Sequence, residues 1–347
     1  DPPPAGPELS FGVIRKKDQK MKLINDLELG FSDAENYRRR ENKSLLNKVF
    51  IRNHNLDRLC APAISFLIGE KGTGKTAYAV YLANNDYLDT LSSLRYIRET
   101  EYQKFMALKN EKHLGLSDYS SIWKVTIYLL LAQQIIDKEG GLEFLRRFTR
   151  LQAIQKAIDE YYHKAFSPEI IQALQFFQES KIAAELIAKH AKASGEEKDT
   201  LIFSESKFQT NLFYIQKKFE EAFRQARLDK NHLIFIDGID IRPSSIPYEE
   251  YLLCIKGLAN AVWEVNNDFF PTIKGKCGRM RATLLIRPDI FQSIGLQNQN
   301  TKIRDNSVFL DWRTEYTNHR TSDLFRVIDH LLSSQQDHKL DEGEAWD

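Results

Sequence analysis

The chain contains few cysteines. Only three of its 347 residues are cysteines, and Cys60, Cys254 and Cys277 are far apart in the sequence. None of them has a histidine at the spacing of a zinc site, and three isolated cysteines do not make a disulfide framework. The sequence therefore supports neither a disulfide-stabilised fold nor a structural zinc site.

An excess of charge of one sign and long apolar runs are also absent. Lysine and arginine number 49 and aspartate and glutamate 48, so the formal net charge of +1 selects neither nucleic acid nor a membrane surface as a partner. The most continuous apolar stretch, residues 125–132, is far too short to cross a bilayer, and no charged and then apolar leader opens the chain. We therefore expect a cytoplasmic protein without a membrane partner.

The most specific pattern in the chain is a glycine-rich octapeptide that follows an apolar run. Residues 69–76 fit the P-loop pattern G-x-x-x-x-G-K-[ST] at every fixed position, and residues 63–68 form the apolar run. A buried strand that ends in such a turn and continues into a helix near Lys75 aims backbone N–H groups at one point, where a polyphosphate can sit. The alternative is an ordinary glycine-rich surface turn.

Each residue type in this loop has an expected role. The glycines allow the backbone to curl around phosphates, Lys75 reaches the β- and γ-phosphates, and the Thr76 hydroxyl ligates Mg²⁺. The residues predicted to contact the nucleotide are Gly69, Glu70, Lys71, Gly72, Thr73, Gly74, Lys75, Thr76 and Ala77.

A second apolar run, residues 233–236, ends in an aspartate. Such a run indicates a parallel strand buried on both faces, which delivers Asp237 to the sheet edge where ligands bind. Asp237 is therefore the predicted carboxylate on the Mg²⁺ side; a simple turn-capping role is the alternative. Hydrolysis also needs a carboxylate that orients water, and Gly238 stands where a glutamate is most familiar. Either Asp240 takes that role or hydrolysis is slow.

The segment Asp237-Gly238-Ile239-Asp240 resembles the signature of the STAND group of P-loop NTPases, an AAA+-like superfamily, and especially its NACHT type. The resemblance implies that Asp240 supports hydrolysis. Residues 283–288 are similar to the sensor strand of that group, which makes Arg287 the γ-phosphate sensor unless it pairs with a surface carboxylate such as Asp289. Residues 237–312 also resemble bacterial P-loop ATPases linked to DNA repair or phage defence. STAND proteins carry further domains after the ATPase, and this chain departs from that pattern.

The spacing of the motifs predicts the domain organisation. We expect an α/β P-loop NTPase core, with a parallel sheet covered by helices on both faces, in residues 48–137 and 207–313. Residues 138–206 show apolar spacing of three and four and are predicted to form a helical insertion that serves as an oligomer or partner surface, or as extra packing. Residues 1–47 form an N-terminal extension. Its residues 1–7 indicate a linker or a tag remnant, so we expect the numbered chain to be a fragment of a longer protein. Residues 314–347 begin a C-terminal lid.

These patterns favour an ATPase that uses ATP and Mg²⁺ as a switch for oligomerisation and signalling, with a protein effector or sensor as partner and a role in bacterial antiviral defence. A nucleic-acid-associated ATPase is the main alternative. It depends on the basic residues 274–281, which, like residues 38–40, we interpret as solvated surface. A P-loop kinase or GTPase and a nucleotide-binding scaffold without turnover are further alternatives. Arg304 and Arg313 are candidates for an arginine finger, although surface pairing is favoured for both.

Overall fold

The computed structural model describes residues 21–97, 116–138, 213, 216–217, 219–224, 226, 228–274 and 278–345. Its centre is one five-stranded sheet in which every neighbouring pair of strands is parallel. The strands are β1 (Phe66–Gly69), β2 (Thr90–Tyr96), β3 (Asn231–Asp237), β4 (Met280–Ile286) and β5 (Ser307–Leu310). The predicted α/β class with a parallel sheet is therefore confirmed.

The order of the strands is β2-β3-β4-β1-β5. The sheet register places Ile68 opposite Ile286 and Ile236 opposite Leu284. Because β4 lies between β1 and β3, the carboxyl ends of these three strands share one edge of the sheet. That edge carries the glycine-rich loop, Asp237 and Arg287.

Eight α-helices can be bounded in the described part of the chain. They are α1 (Lys43–Val49), α2 (His54–Leu59), α3 (Lys75–Asn84), α4 (Leu116–Lys138), α5 (Tyr248–Glu264), α6 (Pro288–Ser293), α7 (Gln299–Asn306) and α8 (Asp323–Ser333). None of the helices in the described residues is long and apolar enough to cross a membrane.

Helices cover both faces of the sheet because successive strand residues point to opposite sides. Ile234 and Ile236 pack with α4, α5 and α6 in one apolar cluster. Leu233 and Phe235 pack with α1, α2 and α3 in a second cluster on the other face. Trp123 of α4 is 1% exposed and belongs to the first of these clusters.

The edge strand β2 differs most from its prediction. The apolar and aromatic side chains in residues 94–97 predict a strand there, whereas β2 begins at Thr90. Its side chains alternate between buried and half-buried positions, as expected for a strand with only one neighbour. The polar residues Ser92 and Ser93 therefore lie within a strand that an apolar run could not reveal.

The two ends of the described chain contact each other. The backbone N–H of Lys22 donates to Gln336 Oε1 (2.8 Å), and Gln335 exchanges hydrogen bonds with the backbone of Glu28. Tyr37 is buried in the cluster that contains α3. Side chains from residues 21–47 thus pack against the rest of the described chain. Residues 139–206 lie outside the described part of the chain, so the helical insertion stays a prediction.

The buried side chain of Asn266 extends the sheet where main-chain pairing stops. Its Nδ2 donates to Ala282 O (2.7 Å) and Ser65 Oγ (2.9 Å), and its Oδ1 accepts from Ala282 N (3.0 Å). Asn266 lies in a π-helical turn, Val265–Phe269, at the end of α5. This wider turn places Asn266 opposite β4, where its side-chain amide pairs with the main chain as a neighbouring strand would.

We expect Asn266→Leu to lower the free energy of unfolding by about 2 kcal/mol, because two buried main-chain groups of Ala282 would lose their partner. Urea denaturation measures this loss. The neighbouring Asn267 is exposed and bonds only the Trp263 carbonyl among the described residues, so Asn267→Leu is the matched control. Equal losses in the two variants would show that the Asn266 network contributes nothing beyond general packing.

Candidate functional site

The glycine-rich loop leaves β1 and enters α3 in a tight turn. Gly72 and Gly74 have φ values of +89° and +88°, a left-handed region that residues with a Cβ rarely adopt. Thr73 is buried between them, and its N–H (3.2 Å) and Oγ1 (2.8 Å) both donate to Glu70 O. Glycine is therefore the residue that fits these two positions of the loop without backbone strain.

Lys75 is the first residue of α3 and its side chain is only 7% exposed. Its Nζ donates to Gly69 O (2.8 Å) and Glu70 O (3.2 Å). The same Nζ lies 3.4 Å from Asp240 Oδ2. The predicted phosphate-binding cation thus lies beside the predicted water-orienting carboxylate, inside the curve of the loop.

Thr76 and Asp237 meet although 161 residues separate them in the chain. Thr76 Oγ1 donates to Asp237 Oδ2 at 2.6 Å, and Asp237 Oδ1 accepts from the N–H of Gly238 at 2.7 Å. A hydroxyl and a carboxylate side by side are the hard oxygen donors that Mg²⁺ prefers. No group of three or more His, Cys, Asp or Glu side chains able to hold a metal occurs in the described residues. A site that Mg²⁺ shares with substrate phosphates needs only one or two protein ligands.

Burial dominates the electrostatics of both aspartates. Loss of hydration raises the pKa of Asp237, and the hydrogen bond from Thr76 opposes this rise. Burial likewise raises the pKa of Asp240, against the opposing effect of the Lys75 ammonium. The Asp240 Oδ1 atom is buried and has no hydrogen-bond partner among the described residues. Both carboxylates would therefore gain from a positive charge or a hydrogen-bond donor placed at this edge.

Gly238 explains why the water-orienting carboxylate cannot stand next to Asp237. Its φ is +86°, and a Cβ at this position would lie 2.6 Å from the backbone oxygen of Ile97. Ile97 is held there because its N–H donates to Asp237 O at 2.8 Å. Any side chain at 238 would collide with this backbone, so Asp240 is the nearest acidic side chain that can reach Lys75.

Arg287 lies where β4 ends, but its guanidinium pairs with Asp289. Nε and Nη2 donate to the two carboxylate oxygens at 3.0 and 2.6 Å. This is the surface pairing that the sequence left open, and the sensor role stays a prediction. Arg304 and Arg313 are 78% and 87% exposed and pair with Asp305 and Asp311, in agreement with the favoured surface interpretation.

The burial of Arg281 contradicts the interpretation of residues 274–281 as solvated surface. Its side chain is 7% exposed in β4, and its Nη2 donates to Leu59 O (3.0 Å) at the end of α2. Burial lowers the pKa of Arg281 to about 10. Since β4 lies inside the sheet, its side chains point into the core whatever their charge. The segment therefore offers one cation fewer to nucleic acid than the sequence suggested.

Two aromatic residues near the loop were not singled out by sequence reasoning. The Trp312 indole Nε1 donates to Thr73 O at 2.8 Å. Tyr96 ends β2 beside Asp237 and Thr76, where burial and the Asp237 charge raise the pKa of its phenol. Single aromatic residues just at or beyond strand ends carry no pattern, so only the fold reveals them. Phe50, which precedes the first strand, stacks on Tyr81 of α3 with ring centroids 4.1 Å apart.

The chain matches no protein-family model. It also matches no curated protein and no solved structure at a significant level. Its function therefore has to be inferred from the residues and the geometry of the site.

Proposed function

We propose that the chain binds ATP together with Mg²⁺ at loop 69–76, hydrolyses it, and uses the bound nucleotide to switch its state of assembly. One observation carries the proposal: the hydroxyl and the carboxylate predicted to share Mg²⁺, Thr76 and Asp237, are 2.6 Å apart. Two separate sequence motifs, 161 positions apart, predicted these two residues.

The roles of the residues follow from their positions. The loop N–H groups and Lys75 bind the phosphates, because both present positive charge within the same turn. Asp240 orients the attacking water through the carboxylate oxygen that has no other described partner. Mg²⁺, when bound with ATP, supplies positive charge to the phosphate oxygens. Catalysis of this kind depends mainly on positioning and charge neutralisation.

The switch is supported by the segment Asp237–Asp240, whose resemblance to NACHT-type ATPases implies assembly on ATP binding and disassembly on hydrolysis. The resemblance of residues 237–312 to bacterial P-loop ATPases linked to DNA repair or phage defence is the ground for a role in bacterial antiviral defence. The described residues offer nothing specific in favour of the nucleic-acid alternative, since Arg281 is buried. As partners we therefore propose a second copy of the chain, which forms the assembly, and a protein that acts as the effector or sensor.

Titration calorimetry with ATP·Mg²⁺ tests the proposal. We expect wild type to bind and Lys75→Ala to bind about 10- to 150-fold more weakly, because a hydrogen bond to a charged group contributes about 1.5–3 kcal/mol. Lys48→Ala, which removes an exposed lysine from α1, is the matched control and should bind as wild type does. Equal affinity in Lys75→Ala would place any nucleotide site elsewhere.

The solution mass of the same variants tests the switch separately. We expect ATP·Mg²⁺ to convert wild type and Lys48→Ala to a discrete oligomer, and ADP or no nucleotide to leave them unassembled. Lys75→Ala should show no shift. If wild type binds ATP with no change in mass, nucleotide binding stands and the assembly switch is wrong for residues 1–347.

A further inference from the structure

Trp312 contacts the glycine-rich loop from outside. It lies two residues beyond β5, and Leu310 of β5 is the register partner of Gly69, the last residue of β1. Its indole Nε1 donates to Thr73 O at 2.8 Å, across 239 residues of sequence. The strand that flanks β1 thus brings a hydrogen-bond donor to the middle of the loop.

The loop residue that Trp312 holds has a glycine on each side. Gly72 and Gly74 flank Thr73, and glycine restricts the backbone least of all residues. The N–H and the hydroxyl of Thr73 both donate to Glu70 O, which fixes the first peptide group of Thr73. The carbonyl of the following peptide group, Thr73–Gly74, accepts a hydrogen bond from the Trp312 indole.

The orientation of this peptide group decides where the Gly74 N–H points. In a planar trans peptide the C=O and the following N–H point in opposite directions, and no cis peptide bond occurs in the described residues. Trp312 holds the Thr73 carbonyl, so the Gly74 N–H points away from the indole. Nothing among the described residues accepts a hydrogen bond from the N–H groups of Gly72 and Gly74.

We propose that Trp312 is a positioning residue, which aims the Gly74 N–H at a phosphate group by holding the Thr73 carbonyl. This inference rests on the proposed nucleotide site, and it adds a residue that no sequence pattern contains. Its chemical target is the polyphosphate part of the ligand rather than the base. Loss of the indole N–H should therefore weaken the binding of every ligand that carries the phosphate chain, and by the same factor.

Trp312→Phe keeps a six-membered aromatic ring and removes the N–H donor together with the five-membered ring, and Trp263→Phe, which makes the same change in size, is the matched control. Trp263 packs against Lys302, with Nζ 4.4 Å from its ring centroid, away from the loop. We expect Trp312→Phe to bind ATP·Mg²⁺ and inorganic tripolyphosphate about 3- to 10-fold more weakly, the effect of one hydrogen bond, with an unchanged melting temperature. The Gly74 amide signal, assigned through Gly74→Ala in ¹⁵N-glycine-labelled protein, should shift with ATP less in Trp312→Phe than in wild type.

The outcomes separate this inference from the proposed function. If Lys75→Ala and wild type bind ATP equally, the nucleotide site is wrong and the role of Trp312 falls with it. If Lys75→Ala loses binding while Trp312→Phe keeps wild-type affinity, the role of Trp312 alone is wrong. A loss for ATP without a loss for tripolyphosphate would assign the indole to the base and overturn the proposal. A lowered melting temperature with an unchanged Gly74 shift would make Trp312 merely structural and overturn it as well.

Discussion

Replacing Asp240 by asparagine is expected to lower the turnover of ATP by about 10²- to 10⁴-fold, the usual contribution of a group that accepts a proton or orients the nucleophile. The substitution keeps the shape of the side chain. In wild type the Asp240 Oδ2 atom lies 3.4 Å from Lys75 Nζ, and the Asp240 Oδ1 atom has no hydrogen-bond partner among the described residues. ATP affinity should therefore stay close to that of wild type. Phosphate release and calorimetry on the same samples measure the two quantities.

The assembly state of this variant should follow from its slow turnover. If ATP binding drives assembly and hydrolysis reverses it, Asp240→Asn remains an oligomer as long as ATP is present. Asp86→Asn is the matched control, because Asp86 also pairs with a lysine, Lys230, but on an exposed surface. Full turnover by Asp240→Asn would assign the water-orienting role to another residue.

The pH dependence of turnover provides an independent check on Asp240. Its pKa is raised above the ordinary aspartate value because burial disfavours the charged form. Only the charged form can accept a hydrogen bond from water on both oxygens, so turnover should be present above this raised pKa and be lost as pH falls through it. A pH profile of kcat/KM in wild type, which reports the ionisations of the free protein, should show the acid limb at a higher pH than a solvent-exposed aspartate gives. A limb at the ordinary aspartate pKa would contradict the assignment.

Gly238→Ala is expected to lower the free energy of unfolding by about 3 kcal/mol, the sum of left-handed backbone strain and a steric overlap. The φ of Gly238 is +86°, and the new Cβ would lie 2.6 Å from Ile97 O. The Ile97 backbone cannot move away without breaking its hydrogen bond to Asp237 O. The displacement should also separate Asp237 from Thr76 and weaken ATP binding.

Gly295→Ala isolates the strain from the overlap. Gly295 also has a positive φ, +56°, but no atom lies within 4 Å of the position that a Cβ would take there. Its substitution should cost about 1 kcal/mol, the strain alone. Urea denaturation of both variants measures the difference. Equal costs would mean that Ile97 yields easily and that position 238 tolerates side chains.

Several parts of the fold could be predicted because they depend on local patterns. The apolar runs at residues 63–68 and 233–236 and the sensor-like segment 283–286 each overlap a strand, since a central parallel strand needs apolar side chains on both faces. The helical spacing that begins at Tyr248 corresponds to α5. The prediction for β2 was displaced, because an edge strand is stabilised by one neighbour and tolerates the polar start that β2 has.

Within the site, residue type and short spacing were enough to predict the loop 69–76, the strand end at Asp237 and the acidic residue at 240. Four other features became apparent only from the fold: Thr76 touches Asp237, Ile97 forces glycine at 238, Arg281 is buried and Trp312 holds Thr73. These contacts join residues far apart in the chain. Their existence depends on the order in which the strands pair, and hydrophobic patterns record the burial of a strand but not the identity of its neighbour.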